Sequence, residues 1–143
     1  MENLWLVFSL LSAVTAALVA VFGKIGLQAV DANAATALRA AIMTIFLFLV
    51  VAAQGSHQQV LALLADKKSL FFIALSGIAG ALSWLFYFLA LKTGKVSQVA
   101  PIDKLSVVLA VIFAVIFLGE KVTFWNGVGI LFIAAGSLII ALI

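Results

Sequence analysis

Five long runs of apolar residues, separated by short polar stretches, make up most of the chain. They cover residues 4–22, 34–53, 69–91, 99–118 and 122–143. Each run is close to the roughly 20 residues that a helix needs to cross about 30 Å of hydrocarbon. None alternates apolar and polar positions as a membrane barrel strand does. The pattern predicts an all-α integral membrane protein in which five transmembrane helices form a single domain.

Composition supports the membrane location and narrows the chemistry. Hydrophobic residues fill 67% of the 143 positions, charged residues fill 9%, and the mean hydropathy is +1.39, which leaves little polar surface to cover a water-soluble globule. The net charge of +3 is scattered between apolar runs, so no nucleic-acid partner is expected. The sequence has no cysteine, phosphate-binding loop or nucleophile motif, so we expect neither an enzyme nor a cofactor or metal.

The few ionisable residues inside the spans cluster towards one membrane face. Arg39 lies early in the second run, and Asp103 and Lys104 follow the only proline, Pro101, in the fourth. We call this side face A; it also carries the lysine loops that follow the first and third runs, and the opposite side is face B. At about 1.5 Å rise per residue, Arg39 and Asp103 lie roughly 6 to 10 Å below face A, at the level of Trp84 and Tyr87.

Two interpretations of these charges remain open. Intramembrane ionisable residues usually face a bundle interior and mark a substrate pathway, which favours a polar cavity containing Arg39 and Asp103. Neighbouring residues on a helix point about 100° apart, so Asp103 is expected to pair with Arg39 rather than with Lys104. Alternatively, Arg39 and Lys104 extend to the head groups and Asp103 caps a helix start. Pro101 is expected in the first turn of its helix, without a kink.

Four segments follow one another along the chain: "VFGKIGL", "ATALRAAIM", "ALSWLFYFLALKTGKVSQVAPI" and "IFLGEKVTFWNGVGILFIAAGSLII". Together they resemble the EamA domain of the drug/metabolite transporter superfamily, and the resemblance covers nearly the whole chain. Two-domain members of that superfamily carry ten helices as two such halves and transport amino acids, sugars and other metabolites. The resemblance implies that this chain is one half of a ten-helix arrangement and works as a dimer by alternating access.

The resemblance and the charge pattern together predict an exporter of small anionic or zwitterionic metabolites, such as amino acids. The second and fourth helices both start at face A, so their positive dipole ends add to the basic side chains there. The predicted substrate-binding residues are Lys24, Arg39, Trp84, Tyr87, Asp103 and Lys104. The alternative is a non-transporting membrane subunit or a component of a lipid-carrier flippase, for which no solute flux is expected from the chain alone.

Loop charges give this chain little preference for one membrane orientation. Short loops rich in Lys and Arg usually remain cytoplasmic. Face A loops carry Lys24, Lys92 and Lys95, whereas face B loops carry Lys67, Lys68 and Lys121. The even split predicts insertion both ways up and an antiparallel homodimer, with an oppositely oriented paralogue as the other choice of partner. We expect a multi-pass protein of a bacterial or archaeal inner membrane, surrounded by membrane lipid.

Overall fold

The computed structural model describes residues 4–142, and the regular structure within that range is helical. The elements are α1 (Leu4–Gly26), α2 (Ala32–Ala53), α3 (His57–Ala65), α4 (Lys67–Thr93), α5 (Val96–Asp103), α6 (Leu105–Phe113), a π-helical turn (Ala114–Leu118) and α7 (Phe124–Leu142). Within the described residues, five segments are long and apolar enough to span a membrane: α1, α2, α4, the stretch Val96–Leu118, and Phe124–Ala141 of α7. The predicted all-α membrane fold is confirmed. The predicted last residue of the fifth run, 143, lies outside the described residues.

Local hydrogen bonds explain why the helices extend beyond the apolar runs. The side chain of Asp31 accepts a hydrogen bond of 2.9 Å from the backbone N–H of Ala34, so α2 begins at Ala32. Asp66 does the same for α4, because its carboxylate accepts from the N–H of Lys68 at 3.1 Å and from the hydroxyl of Ser69 at 2.5 Å. These bonds hold the pKa of Asp66, which lies outside the spans, below its ordinary value.

The chain packs as two units, which we describe separately. The central unit comprises residues 23–92, and the flanking unit comprises residues 4–22 and 93–142. Buried side chains of the central unit are Leu27, Ala32, Phe88 and Leu91. They join the end of α1 and the start of α2 to the last turns of α4. A side chain at Gly23 would place its Cβ 3.2 Å from Cε1 of Phe88, so glycine lets this aromatic ring approach α1.

Two lysines link the α1–α2 connection to the end of α4 by donating hydrogen bonds to backbone carbonyls. Lys24 donates from Nζ to the carbonyl oxygen of Leu91 at 2.5 Å, and Lys92 donates from Nζ to that of Val30 at 3.0 Å. The Leu91 carbonyl lies in the last turn of α4, where carbonyls lack partners inside the helix and carry its negative dipole end, so a cation there is favourable. The α1–α2 connection and the end of α4 are therefore held together by charge-assisted bonds.

The flanking unit contains the interrupted fourth span, in which α5 and α6 both pack against α7. Helix α5 begins at Val96, so Pro101 is its sixth residue and lies inside the helix. The expectation that Pro101 lies in the first turn of its helix is wrong. Proline has no N–H to donate to the carbonyl four residues earlier, and α5 ends two residues after Pro101, at Asp103. The turn at Lys104 then leads into α6.

The far end of the same span also departs from α-helical geometry. The π-helical turn Ala114–Leu118 ends at Gly119, whose φ of 68° is left-handed, and the Gly119 N–H bonds to the carbonyl of Ala114. A residue without a side chain adopts this φ at little cost, which explains glycine in the "LGEK" turn. The fourth span therefore departs from regular α-helix at two positions, whereas α2 and α4 are continuous.

Candidate functional site

One face of α2 carries small and polar side chains at helical spacing. Asn33, Thr36, Ala40 and Thr44 recur every three or four residues, and Arg39 lies beside this row. Positions three and four apart in a helix share a face. The hydroxyls of Thr36 and Thr44 donate to the backbone carbonyls of Ala32 and Ala40 at 2.7 and 2.9 Å. Their protons are therefore already used, and each hydroxyl oxygen keeps only acceptor capacity.

A cavity of about 700 Å³ lies between this face of α2 and one face of α4. Its volume falls in the range of about 300–1,000 Å³ typical of small-molecule sites. The α2 lining consists of Asn33, Thr36, Ala37, Arg39, Ala40, Met43, Thr44 and Leu47, and the α4 lining consists of Gly77, Ile78, Gly80, Ala81, Leu82, Trp84 and Leu85. All of these residues belong to the central unit, so the cavity is a property of that unit.

Arg39 is the only charged residue among those lining residues, and its guanidinium stacks on Trp84. Cζ of Arg39 lies 3.7 Å from the centroid of the Trp84 ring and 5.4 Å from that of Phe88. A cation over an aromatic face is attracted by the ring quadrupole, by about 0.5–2 kcal/mol depending on how far water is excluded. Stacking occupies the face of the guanidinium and leaves the N–H groups at its edge able to bind a planar anion.

No carboxylate of the central unit neutralises this arginine. The unit contains two acidic residues, Asp31 and Asp66, and neither lines the cavity. Asp31 caps the start of α2 and Asp66 caps the start of α4. Considered by itself, the central unit therefore presents an uncompensated positive charge at a membrane-embedded cavity.

Glycines on α4 leave room in the cavity. A Cβ atom built on Gly77 or Gly80 would meet no atom within 4 Å, in contrast to Gly23, where the space is filled by Phe88. Small residues in membrane helices commonly allow close helix approach. At Gly77 and Gly80 the space is unfilled by the described residues, and both glycines line the cavity.

The predicted layer near face A is thus formed in part by the central unit. Trp84 contacts Arg39 directly, and the Tyr87 ring meets Trp84 edge-to-face with centroids 5.6 Å apart. Tyr87 does not line the cavity itself. Lys24, also predicted to bind substrate, donates to the Leu91 carbonyl. The structure thus brings Arg39 and Trp84 together, with Tyr87 supporting the tryptophan ring.

Asp103 and Lys104 lie in the flanking unit, where they form an ion pair with each other. Nζ of Lys104 is 3.4 Å from Oδ2 of Asp103, and both side chains are partly exposed. The expectation that these neighbours do not pair is wrong. Their Cβ atoms diverge, but the four-carbon stem of lysine reaches back, and regular α-helix ends between them. The charge of Asp103 is therefore offset within its own unit.

The sequence contained a signal for the residues near Arg39 that were not predicted. Phe88, the second aromatic ring near Arg39, follows Trp84 by four positions and so shares its helical face. Of the missed lining residues, Asn33 and Thr36 are three positions apart and Thr44 follows Thr36 by eight, so all three share one face of α2. Within residues 4–142, no group of three His, Cys, Asp or Glu side chains is placed to hold a metal ion.

A cationic, aromatic-lined cavity between membrane-spanning helices is the kind of site that binds a solute. Similarity to known proteins identifies the class to which this chain belongs. Residues 3–142 match the EamA-like transporter family, and the chain belongs to that family. It is also similar to a Sinorhizobium protein named "Uncharacterized transporter in cobO 3'region", with 44% identity over 141 residues and 99% of each chain covered. No solved structure matches. These relationships identify a membrane transporter and point away from an enzyme.

Proposed function

We propose that this chain exports small anionic or zwitterionic metabolites, amino acids among them. The observation that carries the proposal is the guanidinium of Arg39, stacked on Trp84 at 3.7 Å and without a carboxylate partner in the central unit. A charge inside a membrane span is costly and is usually retained for a pathway or a partner. Helix α2 begins at Ala32, next to the lining residue Asn33, so its positive dipole end favours an anion at that end of the cavity.

In this proposal Arg39 and Trp84 contact the substrate and Tyr87 orients Trp84. Lys24, Asp103 and Lys104 remain predicted site residues. The lysine bond to Leu91 and the Asp103–Lys104 ion pair give each of them a partner, so we assign them to the surrounding field rather than to direct contacts. Attraction by a basic cavity favours anions over the lipophilic cations that multidrug relatives transport.

Solute flux from the purified chain alone tests the proposal. In proteoliposomes we expect saturable uptake of labelled organic anions or amino acids, and a large loss of uptake in Arg39→Gln. Cells that express the chain and are preloaded with the same solute should release it faster than cells that express Arg39→Gln. Preferential uptake of a quaternary ammonium dye would contradict the proposal. Flux that requires a second protein would favour the alternative of a non-transporting subunit or flippase component.

We further propose that transport requires a dimer, in the form of an antiparallel homodimer. The cavity is lined by two helices, whereas transporter sites form between two repeats related by inverted topology. An oppositely oriented copy supplies the second repeat, and the even distribution of loop lysines permits both orientations. Alternating access then follows from movement of one copy against the other.

Single cysteines in this cysteine-free chain test the orientation. Gln28 precedes α2 and Gln58 follows it, so the two exposed positions lie at opposite ends of one span. With a membrane-impermeant thiol reagent on intact cells, Gln28→Cys and Gln58→Cys should each be labelled in part. Complete labelling of one variant and full protection of the other would exclude dual orientation and point to an oppositely oriented paralogue.

A further inference from the structure

We infer that the cavity between α2 and α4 selects monocarboxylates with an elongated apolar body over zwitterions of the same shape. This inference rests on the proposed function and narrows its substrate class. It follows from three features of the cavity: the charge of its lining, the remaining hydrogen-bonding capacity of its polar groups, and the distribution of apolar surface along its length.

The lining that one chain contributes to the cavity matches one negative charge. Arg39 is the only ionisable lining residue, and the acidic residues of the central unit cap helices outside the cavity. A carboxylate on the exposed edge of the guanidinium neutralises it. In an α-amino acid, the ammonium group is attached to the carbon that carries the carboxylate. That ammonium would therefore lie close to the guanidinium, where like charges repel strongly at low dielectric.

The polar lining offers no ionic acceptor for such an ammonium group. The oxygens of Thr36 and Thr44 are neutral acceptors whose protons are donated to the backbone, and Asn33 supplies one amide oxygen. Neutral acceptors compensate a buried cation less well than a carboxylate does. In the flanking unit, Asp103 is already paired with Lys104 at 3.4 Å. Removing the ammonium group therefore removes a repulsion without losing a charged partner.

The apolar lining extends well beyond the arginine. Leu47 lies eight residues after Arg39, which corresponds to about 12 Å along α2. On the antiparallel α4, Gly77 lies seven residues before Trp84, or about 10 Å, and leaves open space at that end. With the carboxylate at Arg39, this length accommodates an aryl-alkyl group or an alkyl chain of medium length.

Tryptophan fluorescence provides a binding measurement that does not depend on transport. The sequence has three tryptophans, so Trp5→Phe combined with Trp125→Phe leaves Trp84 as the single reporter. The double variant, reconstituted in phosphatidylcholine nanodiscs without anionic lipid, is titrated with 3-phenylpropionate, phenylalanine and 3-phenylpropylamine. These probes share a phenylalkyl body and differ in charge. We expect 3-phenylpropionate to bind at least tenfold more tightly than phenylalanine, and the amine to produce no saturable change.

A matched set of variants locates the two ends of the bound molecule. Arg39→Gln should abolish the preference for 3-phenylpropionate, whereas Arg39→Lys should retain part of it. Gly77→Leu should lower the affinity for octanoate at least tenfold and change the affinity for butyrate less than twofold. The reason is that only the longer alkyl chain reaches the end of the cavity at Gly77. Gly129→Leu on α7 is the control, since the space beside Gly129 is also empty within 4 Å and the residue is outside the cavity lining. It should leave both affinities unchanged.

Each contrary result has a distinct meaning. Phenylalanine binding as tightly as 3-phenylpropionate, or an equal loss of butyrate and octanoate affinity in Gly77→Leu, would overturn this inference and leave the broader transport proposal intact. An absence of binding by all three phenyl probes would also overturn it, and lipid or a second copy of the chain would then be the occupant. Tight, Arg39-dependent binding of 3-phenylpropionate without flux in proteoliposomes would support the inference and contradict the proposed transport.

Discussion

The two regions that carry intramembrane charge treat it in opposite ways. In the central unit, Arg39 belongs to the continuous helix α2 and stacks on Trp84 of the continuous helix α4 at 3.7 Å. It has no acidic partner among residues 23–92. In the flanking unit, Asp103 and Lys104 pair with each other at 3.4 Å where α-helix is interrupted. The first arrangement keeps the edge of a cation available for a ligand. The second neutralises both charges locally.

This difference teaches that charges at similar predicted depth need not have the same role. An aromatic partner stabilises a cation without neutralising it, so the net charge and the hydrogen-bond donors remain. An acidic partner removes the net charge. We therefore expect Arg39 to govern binding and the Asp103–Lys104 pair to have smaller effects, mainly on local stability. The following changes test that contrast, from the largest expected effect to the smallest.

The largest effect is expected from Arg39→Gln. Hydrogen bonds to charged groups contribute about 1.5–3 kcal/mol each, which corresponds to roughly a 10- to 140-fold loss of affinity for an organic anion. Arg39→Lys keeps the charge without the planar guanidinium and should lose less. Titration of Trp84 fluorescence with 3-phenylpropionate measures both. If Arg39→Gln binds the anion as tightly as the parent chain, the central cavity is not the anion site.

Replacement of Trp84 should have the next largest effect, because it removes the surface that positions the guanidinium. A cation–π contact contributes about 0.5–2 kcal/mol, so Trp84→Ala should lower the affinity for the anion by roughly 3- to 30-fold. Trp84→Phe keeps an aromatic face and should recover most of the affinity. Isothermal titration calorimetry is the appropriate measurement, since the fluorescent reporter is lost. Equal losses in the two variants would show that the ring face is not what matters.

Pro101→Ala probes the interruption in the flanking unit. Alanine restores an N–H donor within α5, and one net hydrogen bond is worth about 1 kcal/mol. We expect a higher midpoint of thermal unfolding and slower hydrogen exchange at residues 102–105, which carry a backbone amide in both chains. Ala40→Pro, which places the same imino acid inside the continuous α2, should be strongly destabilising by comparison. Unchanged exchange in Pro101→Ala would mean that the proline does not cause the break.

The smallest effect is expected from a double-mutant cycle on the ion pair. Both side chains are partly exposed, and such pairs typically contribute about 0.2–1 kcal/mol. Asp103→Asn and Lys104→Gln should each lower the midpoint of thermal unfolding slightly. The decrease in the double variant should be smaller than the sum of the two single decreases. Additive losses would indicate that the two charges do not interact. A loss of anion affinity from the cycle variants as large as that of Arg39→Gln would remove the contrast between the regions.

Much of the fold was predictable because five apolar runs of spanning length admit few alternatives. Counting the residue rise from face A put Arg39 and Trp84 at the same depth, but it did not predict that the guanidinium stacks on the tryptophan ring. The position of Pro101 was mispredicted because the polar residues Ser97 and Gln98 resemble a loop, whereas α5 begins before them. The Asp103–Lys104 pair was missed because backbone direction alone does not describe a long, flexible side chain. The shape of the cavity also depends on which helices are neighbours in the fold, and the pattern of hydrophobic runs does not show this.

The two lysine-to-carbonyl bonds have a consequence for the order of assembly during synthesis. Lys24 bonds to Leu91 and Lys92 bonds to Val30, across sequence separations of 67 and 62 residues. Neither bond exists until the ribosome has added the last turn of α4, so the end of α1 waits for a helix made two spans later. Closing such long loops costs conformational entropy, and the two bonds can offset that cost only once α4 has been made. Residues 23–92 are therefore expected to lock as a unit before α7 is inserted.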